Sequence, residues 1–250
     1  MRSSAVIIVP CYNESHRLDT EKFKAFSQAQ QPHRLLFVDD GSTDDTAKIL
    51  KRLCEYDPQR FASYFLPQNY GKAEAVRRGI LCALEKNPAY VGYWDADLST
   101  PLETIQIFCD FLDARPDLEI IFGARVRLLG KSIERSPLRH CTGRIFATAA
   151  SLTLGLGVYD TQCGAKLFRA SPIIQDIFQR PFATRWLFDI EILARLIQRA
   201  RCDSGLRRVE DVVCELPLSE WRDTGGSKVK AHDFFIALFQ LALIYWRYLR

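Results

Sequence analysis

The stretch Tyr90–Ser99 (YVGYWDADLS) is the most informative part of this sequence, because it joins a short apolar and aromatic run to two acidic residues. The run Tyr90–Trp94 is typical of a strand that is buried on both faces. Asp95 and Asp97 follow it directly, as polar residues do where a strand of a parallel sheet reaches its carboxyl end. The stretch therefore predicts an α/β protein whose functional groups lie at that edge of the sheet.

The rest of the first half repeats this alternation of strand and helix. Apolar, β-branched runs predict strands, and the segments between them carry apolar residues at helical spacing. Such alternation predicts a mostly parallel sheet flanked by helices. The predicted strands, besides Tyr90–Trp94, are Ala5–Pro10, Arg34–Asp39, Phe61–Leu66 and Leu118–Gly123, and the predicted helices are Thr43–Cys54, Gly71–Lys86 and Leu102–Leu112.

The second half is less regular. We expect helices at Leu138–Gly155 and Phe188–Arg201, and a strand across Leu206–Leu218 that ends near a proline. Ala231–Arg250 predicts a strongly apolar terminal helix. No repeat or linker divides the chain, so we expect one domain over residues 1–230 with the terminal helix at 231–250 as an elaboration.

Composition limits the classes of function. The chain has 250 residues, of which 48% are hydrophobic and 26% charged, so it can form a core without disulfides and wholesale disorder is excluded. The net charge of +4 is too small to indicate nucleic-acid binding, but it suits anionic small molecules or a membrane surface. Eight cysteines without a CxxC pair favour free thiols in a reducing cytoplasm over a zinc or disulfide framework.

The pair Asp95 and Asp97 is the sharpest candidate for chemistry. Two carboxylates that follow a strand end can hold Mg²⁺ or Mn²⁺, while the phosphates of a ligand complete the coordination shell. The metal then neutralises the charge of a departing diphosphate. The alternative interpretation is a surface turn with two solvated acids.

A second polar cluster begins where the strand Arg34–Asp39 ends, at Asp39 and Asp40. One interpretation is a carboxylate that accepts a hydrogen bond from a nucleobase, with Tyr12 stacked on the base. The alternative is a turn and helix cap, for which Asp, Gly and Ser are also preferred, with Tyr12 packed on the wall of the protein.

Several segments, in order, resemble the inverting family 2 glycosyltransferases, whose GT-A fold is a Rossmann-like nucleotide-sugar-binding architecture. The last three are similar to those of the polyprenyl-phosphate sugar synthases, in their dolichyl-phosphate glucosyl and mannosyl branches. The resemblance covers roughly Ala5–Lys230. The segments are VIIVPCYNE (6–14), FVDDGSTDDT (37–46), NYGKAEAVRRGI (69–80), YWDADLSTP (93–101), GAR (123–125), YDTQCGAKLF (159–168), RWLFDIE (185–191) and WRDTGGSK (221–228).

The resemblance implies an enzyme that moves a hexose from a nucleotide sugar onto a polyprenyl (dolichyl-type) phosphate lipid, with Mg²⁺ or Mn²⁺ as cofactor. It favours UDP-glucose as the donor over GDP-mannose. A soluble hydroxyl acceptor remains an alternative. A non-enzymatic alternative is a nucleotide-sugar-binding scaffold, which would not need both a metal pair and contacts to a leaving group.

The resemblance also implies roles for individual residues. Where related synthases carry Gln two residues after the second acid, this chain has Ser99, so water would supply that metal ligand. The implied nucleotide-side residues are Pro10, Tyr12, Glu14, Asp39, Asp40, Gly71, Lys72 and Asp95, the metal ligands are Asp95 and more directly Asp97, the phosphate-binding residues are Arg125, Arg139, Arg222 and Lys228, and the catalytic set is Asp97, Arg125, Arg139, Arg222 and Asp189.

The charges fit this interpretation, because arginine forks bind phosphate oxygens in pairs. For Arg139 the alternative is a solvated helix face shared with Arg135 and Arg144. A phosphate acceptor, with a second pKa of ~6, is already ionised and needs no general base. A hydroxyl acceptor would need one, and Asp189 or Glu191 are the candidates; the alternative for both is a charge that complements the helix dipole.

Two further features of the sequence each have more than one interpretation. Asp160 either serves the reaction or orients the turn Thr161–Gly164. The run Phe234–Trp246 is too short to span a bilayer, and aromatic and basic residues flank it. It either lies on the cytoplasmic face of a membrane as a peripheral contact, packs on its own sheet, or joins two copies in a homodimer. Together with the free thiols, this predicts a cytoplasmic protein that is at most peripheral at the cytoplasmic face of a membrane.

Overall fold

The computed structural model describes residues 3–134, 137–203, 205–224 and 231–250, and within these the helical residues 137–140 and 231–235 by their backbone alone. Its strands are β1 (Ala5–Cys11), β2 (Arg34–Asp39), β3 (Phe61–Phe65), β4 (Tyr90–Trp94), β5 (Ile120–Ala124), β6 (Ser132–Glu134), β7 (Ala165–Arg169), β8 (Val213–Pro217) and β9 (Glu220–Arg222). Its helices are α1 (Thr20–Gln28), α2 (Thr46–Tyr56), α3 (Lys72–Leu84), α4 (Thr104–Ala114), α5 (Pro137–Leu154), α6 (Pro172–Gln179), α7 (Phe188–Cys202), α8 (Val209–Val212) and α9 (Ala231–Ile244), which continues as a π-helical turn at Tyr245–Leu249.

The main sheet has seven strands in the order β3-β2-β1-β4-β7-β5-β8, and all neighbours are parallel except where β7 is involved. β7 runs antiparallel between β4 and β5, so that Lys166 is paired with Tyr93 on one side and Phe122 on the other. A Cβ at Gly92 of β4 would lie 2.4 Å from the carbonyl oxygen of Lys166, so only glycine lets these strands approach. A second, two-stranded sheet pairs β6 with β9 in parallel.

The main sheet separates two hydrophobic cores, because successive side chains of its strands face opposite layers. On one side, Ile8 of β1 packs in a core shared with α3, α6 and α7. On the other side, Ile7 and Val9 pack in a core shared with α1, α2 and α4. All residues of Phe188–Ile197 in α7 are buried, because α5 and α9 cover the helix on the side away from the sheet. Within the described parts of the chain, no helix is long and apolar enough to cross a bilayer.

The sequence predictions for the first half are confirmed, since all five strands and all three helices occur with ends shifted by a few residues. The helices expected at Leu138–Gly155 and Phe188–Arg201 are also present. The continuous strand expected across Leu206–Leu218 is wrong, because Val209 and Val212 pack at helical spacing in α8 before β8 begins. The elements that the sequence reading missed are α1, β6, β7, α6 and β9.

The terminal helix packs on the rest of the chain through one face. Ala237, Leu241 and Ile244 of α9 are buried in the core that also contains α7, so this helix packs on α5 and α7 of its own chain, whereas the packing alternative placed it on the sheet. The boundary expected between residues 230 and 231 adjoins residues 225–230, which lie outside the described part, so the division into two units stays a prediction.

Candidate active site

The loops after β1 and β2 are hydrogen-bonded to each other at the carboxyl edge of the sheet. The Asn13 N–H donates to Ser42 Oγ at 3.0 Å, and Asn13 Oδ1 accepts from the Thr43 N–H at 2.9 Å. Asn13 has a φ of 51°, a left-handed value that asparagine tolerates. These bonds bring the predicted nucleotide-side segment Pro10–Glu14 beside the second polar cluster and leave the Tyr12 side chain partly exposed.

The neighbouring carboxylates Asp39 and Asp40 have different surroundings. Asp39 is buried and accepts from both the backbone N–H and the hydroxyl of Ser42. Asp40 is also buried and accepts from the N–H groups of Tyr70 and Gly71, each at 2.8 Å. Burial raises the pKa of Asp40 although these two bonds favour its charged form. Asp40 thus holds the turn before α3; the role of either carboxylate in reading a base stays a prediction.

The acidic pair after β4 is fixed by its own backbone and by a glycine from a distant segment. Asp95 donates its N–H to the carbonyl of Gly164 at 2.9 Å, and Asp97 Oδ1 accepts from the Ser99 N–H at 3.0 Å. A Cβ on Gly164 would lie only 1.9 Å from Asp95 Oδ2. Glycine is therefore required at position 164 for Asp95 to keep this orientation, a role that the sequence analysis did not assign to it.

A basic side chain lies against each carboxylate of the pair. Lys72 Nζ is 2.5 Å from Asp95 Oδ1, and Arg17 Nη2 is 3.3 Å from Asp97 Oδ2. Burial alone would lower the pKa of Lys72, but the negative charges of Asp95, Asp189 and Asp97 outweigh it and raise that pKa. The ammonium group is therefore charged at neutral pH. The sequence analysis named Lys72 on the nucleotide side, but it missed Arg17.

The donor chemistry of Asp95 and Asp97 suits a hard divalent cation, which prefers carboxylate oxygens. Among the described residues, no cluster of three or more His, Cys, Asp or Glu side chains could hold a metal ion by itself. Ligand oxygens and water would have to complete the coordination shell of a metal at this pair. This agrees with the expectation that water supplies the ligand at the position of Ser99. The Ser99 hydroxyl lies 3.4 Å from Thr224 Oγ1.

The end of β9 lies against the acidic pair. Arg222 donates its N–H to the carbonyl of Ser99 at 3.0 Å, and the Thr224 hydroxyl donates to Asp97 Oδ2 at 3.1 Å. The Arg222 guanidinium is largely exposed and pairs with Glu220 at 3.0 Å. The backbone of Arg222 is therefore close to the proposed metal ligands, and its exposed side chain is available to a ligand that binds there.

The structure describes the other predicted phosphate-binding residues to different extents. Arg125 forms a two-pronged ion pair with Asp160, with Nε–Oδ2 at 2.6 Å and Nη2–Oδ1 at 2.7 Å, and its guanidinium carbon lies 5.2 Å from the centre of the Trp221 ring. Its charge is thus already matched within the protein, and its phosphate role stays a prediction. Arg139 is described only as backbone within α5, and Lys228 lies outside the described residues.

Asp160 holds both Arg125 and the turn that follows Asp160 in the sequence. Its backbone N–H donates to Glu215 Oε1 at 2.6 Å, and its Oδ1 accepts from the Gln162 N–H at 3.3 Å. Burial alone would raise the pKa of Asp160, but the charge and hydrogen bonds of Arg125 outweigh it and lower that pKa to about 2. These contacts agree with the alternative that Asp160 orients the turn, and they add Arg125 as its partner.

Asp189 lies in a buried group of charges behind the acidic pair. Its Oδ1 is 3.1 Å from Lys166 Nζ, and the same carboxylate accepts from the Tyr93 hydroxyl. Lys166, which is fully buried on β7, also donates to the carbonyls of Thr161 at 3.0 Å and Cys163 at 2.6 Å. The sequence analysis missed Lys166, although a lysine within the otherwise apolar run AKLF was a visible signal.

The surroundings of Glu191 disfavour its candidate role as a general base. Its carboxylate is fully buried and accepts from the N–H groups of Ala183 and Thr184 at 2.9 to 3.1 Å. It also pairs with Arg195 at 2.8 Å and accepts from the Tyr248 hydroxyl at 2.7 Å. Glu191 therefore joins α7 to the loop before it and to the terminal π-helical turn, and its oxygens are fully engaged.

An α/β sheet with an acidic pair at its carboxyl edge, beside two polar loops that are hydrogen-bonded to each other, is typical of an enzyme that binds a charged ligand at the strand ends. The family model described as "Glycosyl transferase family 2" matches residues 6–176. The chain belongs to this family and is a glycosyltransferase, and its mostly parallel sheet flanked by helices is the GT-A architecture that the resemblance predicted.

Comparison with curated proteins finds several relatives along most of the chain. A dolichyl-phosphate beta-glucosyltransferase of Dictyostelium discoideum is 33% identical over 94% of this chain and 71% of its own length. A polyprenol monophosphomannose synthase of Mycolicibacterium smegmatis is 26% identical over 95% of this chain and 85% of its own length. Among solved structures, glucosyl-3-phosphoglycerate synthase of Mycobacterium tuberculosis in complex with Mn²⁺ and UDP-glucose aligns with a TM-score of 0.62 at 16% identity, over 97% of this chain and 77% of that one.

Proposed function

We propose that this enzyme transfers a hexose, with glucose from UDP-glucose as the favoured donor, onto the phosphate of a polyprenyl lipid. The observation that carries the proposal is the open acidic pair Asp95 and Asp97, each held by one cation and each oriented by backbone contacts at the sheet edge. The names of the relatives support the acceptor class, because both the glucosyl and the mannosyl relatives are named for polyprenyl-type phosphates. The higher identity of the glucosyl relative supports glucose over mannose.

Asp95 and Asp97 would hold a divalent cation together with the diphosphate of the donor. When bound, Mg²⁺ or Mn²⁺ would neutralise the charge that develops on the departing nucleoside diphosphate. The Mn²⁺ and UDP-glucose in the aligned mycobacterial structure support a metal of this kind. Basic residues of this chain would then share the diphosphate charge: Lys72 and Arg17, which pair with Asp95 and Asp97, and the exposed Arg222, whose backbone lies beside Ser99.

A phosphate acceptor agrees with the lack of a free base among the candidate carboxylates. A phosphate oxygen is ionised at neutral pH and can attack the anomeric carbon without losing a proton to the protein. Asp189 is buried between Lys166 and the Tyr93 hydroxyl, and Glu191 is fully engaged. These surroundings disfavour a soluble hydroxyl acceptor, which would need a carboxylate able to take a proton.

The experiment is transfer of radiolabelled sugar into an organic-extractable lipid. Purified full-length protein receives polyprenyl phosphate, Mn²⁺ or Mg²⁺, and either UDP-glucose or GDP-mannose. We expect label in the lipid from UDP-glucose, and its loss with EDTA or in Asp97→Asn. Label from GDP-mannose alone would show that GDP-mannose, and not UDP-glucose, is the donor. No lipid label from either donor, with metal-dependent nucleotide-sugar binding intact, would reject the polyprenyl acceptor.

A further inference from the structure

The turn at residues 160–164, just before β7, connects two parts of the candidate site. At its start, Asp160 forms the two-pronged ion pair with Arg125, which follows β5. At its end, the carbonyl of Gly164 accepts from the Asp95 N–H at 2.9 Å, and the Cα of this glycine lies against the Asp95 carboxylate. A ligand that reaches from Asp95 to Arg125 would therefore lie along this turn.

The backbone of the turn is held from the interior of the protein. The buried ammonium group of Lys166 donates to the carbonyls of Thr161 at 3.0 Å and Cys163 at 2.6 Å, which are the residues on either side of Gln162. The same ammonium group is held by Asp189 at 3.1 Å. A side chain on a backbone fixed in this way can bind a ligand with little loss of conformational entropy.

The middle of the turn carries polar side-chain atoms that the protein leaves unpaired. Gln162 Nε2 and Thr161 Oγ1 are both buried, and neither has a hydrogen-bond partner among the residues that the structure describes. Buried polar groups of native proteins are nearly always hydrogen-bonded, because an unpaired one destabilises the fold. Two such groups, adjacent in one fixed turn beside Asp95, indicate a place where a ligand supplies the partners.

The chemistry of these two groups favours an uncharged ligand with hydroxyl groups. A glutamine amide offers two N–H donors without charge, and a threonine hydroxyl offers a donor and acceptors. In the proposed reaction, the departing diphosphate and the acceptor phosphate are anions, which cations bind best. The hexose lies between them and presents only hydroxyl groups, so neutral donors and acceptors are the groups that recognise it.

We propose that the Gln162 amide donates a hydrogen bond from Nε2 to a hydroxyl oxygen of the transferred hexose, with Thr161 Oγ1 in the same subsite, and that Gln162 thereby helps to select the sugar. The identity of the ligand as a hexose rests on the proposed function. A buried donor stays unpaired when the matching hydroxyl is missing, so such a site rejects the wrong sugar more strongly than an apolar pocket does.

The first test is calorimetric titration of the full chain with UDP-glucose and, separately, with UDP, each with Mn²⁺. The variant is Gln162→Met, which removes the amide and keeps a side chain of similar size. Binding of UDP-glucose should weaken at least about tenfold and binding of UDP should change less than about twofold, because only the hexose contacts the amide. GDP-mannose and GDP are titrated in the same way. Equal changes for sugar nucleotide and nucleotide, or no change in either pair, would overturn the assignment.

Thermal unfolding without ligand separates this role from a structural one. Gln162→Met should keep or raise the midpoint, since it replaces an unpaired amide by an apolar group. The matched control is Gln106→Met on α4, whose amide is bonded to His33 at 3.0 Å and to Asp110 at 2.7 Å. The control should lower the midpoint by about 2 °C and keep the wild-type ratio of UDP-glucose to UDP affinity. A decrease in Gln162→Met as large as in the control would overturn the proposal.

Donor analogues identify the hydroxyl group that Gln162 binds. UDP-glucose analogues that each lack one hydroxyl are titrated into the wild-type chain and into Gln162→Met. The wild-type chain should bind one analogue at least about tenfold more weakly than UDP-glucose, and Gln162→Met should bind that analogue and UDP-glucose equally. Discrimination by Gln162→Met that matches the wild type for every analogue would contradict the contact.

The titrations contain no acceptor, so they can fail independently of the proposed function. Selective loss of sugar-nucleotide affinity in Gln162→Met, without transfer to polyprenyl phosphate by the wild-type chain, would reject the proposed acceptor and retain the hexose contact. Wild-type transfer rates and affinities in Gln162→Met would retain the proposed function and reject the contact. A wild-type chain that binds neither UDP-glucose nor GDP-mannose would reject both.

Discussion

Two pairs of carboxylates with the same spacing in sequence have opposite surroundings in this molecule. Asp95 and Asp97 are partly exposed, and each is met by one long basic side chain. Asp189 and Glu191, also two residues apart, are buried and each is met by several fixed partners. The difference shows that a carboxylate available for ligand chemistry is one whose cation can move away, whereas a carboxylate with several buried partners maintains the fold.

The largest expected effect concerns the buried pair. Glu191→Ala should lower the free energy of unfolding by about 3–5 kcal/mol, because it leaves Arg195 buried without its charge partner and frees two backbone N–H groups. Urea unfolding followed by circular dichroism measures this. The control is Glu220→Ala, whose exposed pair with Arg222 should contribute less than about 1 kcal/mol. A Glu191→Ala variant as stable as the wild type would remove the contrast between the two pairs.

The second effect is on catalysis and concerns the exposed pair. Asp97→Asn should reduce glucosyl transfer about 1,000-fold, since it removes a charged metal ligand worth several kcal/mol in the transition state. Its unfolding free energy should stay within about 1 kcal/mol of the wild type, because its pair with Arg17 is partly exposed. Steady-state transfer rates and urea unfolding on the same preparation test both statements. Loss of stability in step with loss of activity would mean that Asp97 is structural.

The sequence could predict the exposed pair because its context is local. A buried strand followed at once by two acids places those acids at the carboxyl edge, whatever the rest of the chain does. The same holds for Asp39 after β2. The approach of Gly164 to Asp95 and of Lys166 to Asp189 could not be predicted, because both depend on the insertion of β7, antiparallel, between β4 and β5. Their approach is a property of strand order, which one sequence does not display.

Other failures have local physical causes. The valines at 209, 212 and 213 fit helical and extended spacing alike, so their pattern does not distinguish the helical turn α8 from a continuation of β8. Only Phe23 and Phe26 are buried in α1, so its apolar stripe was too weak to notice. For Glu191, the sequence suggests either a general base or a charge that complements the helix dipole, but α5, α9 and the π-helical turn enclose α7 and bury this residue.

The third effect is a pH dependence of stability at Asp160. Its pKa is lowered from 3.8 to about 2 in the folded protein, so its ion pair with Arg125 stabilises the fold fully above about pH 4. This contribution, about 2 kcal/mol, should be lost as the pH falls through the folded pKa of about 2. The difference in unfolding free energy between wild type and Asp160→Asn should therefore narrow over that window. A difference that stays constant from pH 5 to about 2 would contradict the pairing.

The smallest expected effect tests whether the ammonium group of Lys72 can move away from Asp95. Lys72 lies against Asp95 where a metal would bind, so a metal that arrives without nucleotide must displace a charged ammonium group. Lys72→Met should therefore tighten the binding of Mn²⁺ alone by about tenfold, the equivalent of 1.4 kcal/mol, as measured by electron paramagnetic resonance of free Mn²⁺. Lys48→Met, which removes an exposed lysine from α2, is the matched control and should leave the affinity unchanged. With UDP present, the wild-type chain should bind Mn²⁺ more tightly than Lys72→Met. The wild-type lysine can then turn to the diphosphate, whereas methionine cannot form an ion pair with it. Equal Mn²⁺ affinity in both variants without nucleotide would show that Lys72 does not compete for the site, and would place Asp95 with the fixed carboxylates rather than with the available ones.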